Sequence, residues 1–130
     1  QGGGQADRAY WEKKAGSSLV KICDDVLTLV RSNTSIPVEL NYARQYVGML
    51  VHGVSNNFVY LSPRAYSKFT HITFRIENAL TWKDRFDQAG IPATVNQKNR
   101  LRISVTPEQF AAQNALISEV VADTVKQFEN

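Results

Sequence analysis

The hydrophobic pattern changes period at Asn33-Thr34-Ser35, and this change constrains the fold more than any other feature of the chain. Before it, Leu19, Val20, Ile22, Cys23, Val26, Leu27 and Val30 recur at helical spacing as one apolar stripe. Lys21, Asp24, Asp25 and Arg31 fall on the other side, where Asp24 and Asp25 read as a solvated face. After it, Val38, Leu40 and Tyr42 alternate with Glu39 and Asn41, which is the period of a strand with one covered face. A helix with one apolar side followed by strands with one apolar side predicts a sheet with helices packed against it.

The remaining elements follow the same logic. Tyr46 to Val51 predicts a strand covered on both faces, with a close approach at Gly48. His52 to Asn57 reads as a turn, Phe58 to Leu61 as a strand stopped by Ser62-Pro63, and Phe69 to Ile76 as another strand. Glu77 to Ala89 predicts a helix burying Leu80, Trp82, Phe86 and Ala89, ended by Gly90 and Pro92. Ala93–Asn96 and Arg100–Val105 form a hairpin around Gln97-Lys98-Asn99. Thr106, Pro107 and Gln109 are a strong start signal for a last helix. The expected fold class is α+β, a mostly antiparallel sheet of about six strands flanked by helices in the order α-β-β-β-β-α-β-β-α. Ala6 to Lys14 adds a helical turn or two in front, with Tyr10 and Trp11 docking it. Residues 1–6, with three consecutive glycines, read as a flexible linker or an expression remnant, and residues 7–130 as a single domain.

Composition narrows the function classes. The 130 residues have a mean hydropathy of −0.30, and no apolar run reaches the roughly 18–20 residues that cross a bilayer. No membrane association is expected. One cysteine, and no charged-then-apolar leader, point to a cytoplasmic protein without disulfides. Cys23 lies on the apolar stripe, where a thiol packs and is inert.

Residues 41–105 carry nine basic side chains against Glu77, Asp84 and Asp87, and hold nine of the thirteen aromatics. A basic, aromatic-rich middle points to an anionic partner, nucleic acid first. Solubility and edge protection of a strand-rich surface account for the same charges. Arg100 and Arg102 are two apart in one strand and share a face. Arg75 also points away from the apolar side of its strand, with Phe69 and His71 beside it to stack bases. Guanidinium binds phosphate bidentately and stays charged, so the three arginines are the leading candidate site. Lys98, Arg64 and Lys68 extend it. A second reading gathers Asn57, Arg64 and Lys68 about a ligand, and a third lines a pocket with Tyr42, Tyr46, Tyr60 and Trp82.

Catalytic signatures are missing from the sequence. Gly48, Gly53 and Gly90 stand alone, so no phosphate loop or dinucleotide fingerprint can be built. His52 and His71 have no partner ligand on the same element, and the strands offer no acid-x-Lys pair for a metal nuclease. No cofactor, metal or catalytic residue is expected.

Several segments carry a resemblance. Asp7-Arg8 with Tyr10-Trp11-Glu12, Leu40-Asn41-Tyr42, Tyr46-Val47-Gly48, and Asn57-Phe58 running to Pro63-Arg64 occur in that order. With the Arg100–Ile103 strand and the helix from Pro107, the chain from Asp7 onward resembles an uncharacterised bacterial α+β domain family of unknown function. The family is sometimes labelled a predicted transport protein, and its domains are often C-terminal in larger proteins. The resemblance implies an accessory domain with no established catalytic residues. The expected function is a non-catalytic accessory module that binds nucleic acid through a basic sheet face. The alternative is a protein-interaction or dimerisation module, monomeric or homodimeric, acting with a parent or partner protein.

Overall fold

The computed structural model describes residues 6–64 and 68–130, so the Gln1–Gln5 part of the expected linker lies outside the described residues. The chain is α+β, with a seven-stranded sheet that is antiparallel throughout. In sequence order it runs α1 (Arg8–Ala15), α2 (Ser17–Ser32), β1 (Val38–Tyr42), β2 (Val47–Val51), β3 (Val54–Ser55), β4 (Val59–Arg64) and β5 (Phe69–Arg75). It continues with α3 (Ala79–Gln88), β6 (Ala93–Val95), β7 (Arg100–Val105), α4 (Pro107–Ala112) and α5 (Asn114–Glu129). The spatial order is β1-β2-β4-β5-β7-β6, with β3 paired to β2.

Local chemistry explains the boundaries. Asp7 caps α1 by accepting from the Tyr10 N–H at 2.8 Å, and Gly16, at φ 93°, turns the chain into α2. The seventh strand arises because His52 and Gly53 both take positive φ, 52° and 77°. That two-residue turn folds Val54 back onto Val51, where the sequence reads only as a loop. Pro63 lies inside β4 rather than after it. The β2 ladder meets β4 only at Val47 and Leu61, so on that side no partner strand requires the missing N–H. Thr106 and Gln109 form the expected capping box, but the last helix is two helices, broken at Gln113. The break lets α4 bury Phe110 while α5 lays Ile117, Val120, Val121 and Val125 on the core.

The register assigns a side to every strand residue. Val47, Met49, Leu61, Ile72, Phe74, Leu101, Ile103 and Val105 turn to one face, and all are buried. The helices cover that face, with the α2 stripe packed over β1, β4 and β5. Thr70 on the same face donates to the Leu19 carbonyl at 3.1 Å. Cys23 is fully buried in this core, which pushes its thiol pKa up to about 12. Leu80 is 67% exposed, because α3 starts at Ala79 and buries Ala79, Trp82 and Phe86 instead.

The α1 segment is docked as the sequence suggests. Trp11 is buried and its indole N–H donates to the Ala43 carbonyl at 2.7 Å. Asp24 is not a free solvated carboxylate. Arg8 grips it through both terminal nitrogens at 2.7 Å each and also reaches the Tyr42 hydroxyl. Asp25 pairs with Lys21 one turn earlier.

Candidate nucleic-acid interface

No described helix covers the opposite face of the sheet. From β4 it presents Tyr60, Ser62 and Arg64, and from β5 Phe69, His71, Thr73 and Arg75. From β7 it presents Arg100, Arg102 and Ser104, and from β6 Thr94. None of these side chains is acidic, whereas β1 at the sheet edge presents Glu39 on the same face, opposite Leu50 of β2.

Pairing brings them into rows across the strands. Arg64 sits opposite Phe69, and Ser62 opposite His71, which is in turn opposite Ser104. The third row is Tyr60, Thr73, Arg102 and Thr94, and the fourth places Arg75 opposite Arg100. Directly paired residues have Cβ atoms about 5 Å apart, so Arg75 and Arg100 are immediate neighbours, with Arg102 two residues along β7 and diagonal to Arg75. Among the described residues, none of Arg75, Arg100 and Arg102 forms an ion pair. The recorded pairs engage Arg8, Lys21, Lys83 and Arg85, all on helices.

The two lysines lie apart. Lys68, with φ 62°, sits in the turn ahead of β5, while Lys98 sits in the β6–β7 turn beside Arg100. Seven strand residues separate these ends, a span of roughly 20 Å. The structure therefore joins Arg64, Phe69, His71, Arg75, Arg100 and Arg102 on one wall and places Lys68 and Lys98 at its two ends.

His71 is tied to its row. Its Nδ1 lies 2.6 Å from the Ser104 hydroxyl, and its ring is 5.9 Å from that of Phe69. Burial, followed by the charges of Arg102 and Arg64, pushes its pKa down to about 4. The ring is therefore neutral at physiological pH. Together with Arg64, Arg102, Ser62, Thr73 and Thr94 it lines a polar hollow of about 310 Å³. A second hollow, of about 500 Å³, opens at the far end of β5, between Arg75, Lys98 and the stacked rings of Phe58 and Phe128.

Two other groupings from the sequence take different forms. Asn57 serves the backbone. Its side-chain oxygen accepts from the Met49 N–H at 3.2 Å and its amide donates to the Tyr46 hydroxyl. Tyr46 and Tyr60 meet edge-on at 5.7 Å, but Tyr42 and Trp82 are on the helical side, so the four do not line one pocket. Sequence reasoning missed Ser62 and Thr94 as members of the wall. Alternation in β5 and β7 sets Thr73 and Ser104 on the same side as the arginines, whereas a strand ended at Leu61 leaves Ser62 out.

Among the described residues, no group of three His, Cys, Asp or Glu side chains gathers to hold a metal ion. No described helix is long and apolar enough to cross a membrane. No family model matches the chain, and no curated protein is similar to it in sequence.

Proposed function

We propose that the protein is a non-catalytic accessory module that binds nucleic acid across its helix-free sheet face. The observation that carries this reading is the Arg75–Arg100 pair with Arg102 two residues along, three guanidiniums without an ion-pair partner among the described residues, on strands β4 to β7 whose outward side chains include no acid. Keeping like charges together costs stability, which a purely structural surface has no reason to accept. Phosphate oxygens along a strand are the natural counter-charge. Phe69 and Tyr60 on the same wall offer ring faces to bases.

The test is fluorescence anisotropy with single-stranded and duplex DNA and RNA of mixed sequence, across salt concentrations. Engagement of Arg64, Arg75, Arg100 and Arg102 by a single strand gives a log–log salt slope near −3, at about 0.7 per phosphate neutralised. The double variant Arg75→Ala/Arg102→Ala should flatten that slope by about 1.4. Absence of binding by the folded protein at low salt removes the reading. A module for protein contact then becomes the better account, and light scattering across concentration tests its self-association.

A further inference from the structure

We propose that the hollow between Arg64 and Arg102 is a seat for a phosphomonoester dianion, the 5′-phosphate of a nucleotide. The site is built from four strands, with Thr94 supplied by β6. Arg64 comes from β4, His71 and Thr73 from β5, and Arg102 from β7. Thr73, which lines it, is only 5% exposed. Charge-assisted donors at its walls and hydroxyls of Ser62, Thr73 and Thr94 around it match a group with three acceptor oxygens. Among the described residues no carboxylate lines it.

The size and charge select an end group rather than a stretch of chain. A volume of about 310 Å³ is at the small end of ligand sites, which run to roughly 300–1,000 Å³. Two guanidiniums over one hollow complement a terminal phosphate, which carries about two negative charges at pH 7, better than a diester, which carries one. Tyr60 also lines the hollow, so a base attached to the seated phosphate meets an aromatic flank. His71 responds to the same charges. The groups facing it are Arg64 and Tyr60 from β4 and Arg102 from β7, and the two cations already disfavour its protonated form. A dianion seated among them reverses that field and raises the His71 pKa.

Where the ligand is the end of a nucleic-acid chain, this inference rests on the function proposed above; for a free nucleotide it stands alone. The experiment has two arms. In the first, 5′-AMP and adenosine are titrated into the protein by calorimetry while the His71 ring is followed by NMR. The seat requires 5′-AMP to bind at least about tenfold tighter than adenosine, the size of one charge-assisted contact. Arg102→Gln should abolish that preference, Arg102→Lys should retain part of it, and Arg75→Gln should leave it intact. In the second arm, a 5′-phosphorylated octanucleotide is compared with its 5′-hydroxyl twin, and a tenfold preference is again expected for a chain end. Equal binding of the two octanucleotides, with 5′-AMP no better than adenosine, overturns the seat and spares the sheet-face reading. Binding of 5′-AMP without either octanucleotide keeps the seat, assigns it to free nucleotides and overturns the sheet-face reading. A 5′-AMP preference that survives Arg102→Gln places the phosphate elsewhere and overturns the seat.

Discussion

Arg75 and Arg100 are direct partners across the β5–β7 ladder, two like charges side by side with no carboxylate paired to either. Such a pair destabilises a sheet by roughly 0.2–1 kcal/mol relative to a neutral one. Arg100→Thr keeps a good strand former and removes the repulsion. It should therefore raise the unfolding free energy by that amount while weakening oligonucleotide binding, a trade expected of a functional surface. Urea unfolding and anisotropy on the same sample check both halves. A variant that loses stability shows that the Arg100 stem packs more than its charge repels.

Gly48 and Asn57 form an interdependent pair. A Cβ on Gly48 would stand 2.1 Å from the Asn57 side-chain oxygen, the acceptor of the Met49 N–H. Gly48→Ala must expel that side chain and leave the Met49 N–H without its acceptor, at a cost of about 1–3 kcal/mol. Asn57→Ala loses the same bond without a clash. The double variant should therefore cost less than the two singles together, with a coupling of at least about 0.5 kcal/mol in a denaturation cycle. Strict additivity would mean that the two residues do not share this contact.

How far the site could be read from the sequence depends on which question is asked. Alternation in β5 and β7 places Arg75, Arg100 and Arg102 on their strands' non-apolar sides, because a two-residue period fixes side with no knowledge of neighbours. It does not say that β7 inserts between β5 and β6, and only that long-range pairing makes Arg75 and Arg100 neighbours. Arg64 joins the wall because Pro63 continues its strand, a local rule overridden by the absence of a β2 partner at that point. The Leu80 expectation failed for a simpler reason. Ala79, Trp82 and Phe86 are spaced i, i+3, i+7, and the small Ala79 occupies the position that hydrophobicity alone assigns to Leu80.

The docking of α1 sets burial against charge. Trp11 is 1% exposed, and truncating a buried tryptophan costs about 3–5 kcal/mol. Arg8 makes a two-pronged pair with Asp24, but the two side chains are 41% and 40% exposed, so solvent screens it to below about 1 kcal/mol. Trp11→Ala should release α1 and lower the melting temperature sharply, and Arg8→Ala should barely move it. Hydrogen exchange at residues 10–15 separates the cases. Equal losses from both variants would show that the ion pair holds the segment as much as the indole does.

His71 gives the wall a pH signature. Its pKa falls from 6.5 to about 4 on folding, through burial first and then Arg102 and Arg64. As pH drops below 6.5 the unfolded chain accepts a proton that the folded ring refuses. Stability therefore declines from pH 6.5 to about 4 and levels off below it. The ring is only partly buried, so screening holds the loss to the order of 1 kcal/mol. The difference between wild type and His71→Gln, taken by urea unfolding across this range, isolates it from other titrating groups. Direct NMR titration supplies the second check, and a folded-state His71 that titrates near 6.5 defeats the prediction. Arg102→Gln removes one of the two cations but none of the burial, so it should restore only part of the shift. If it restored all of it, the arginine charge and not the packing of the wall would govern the ring.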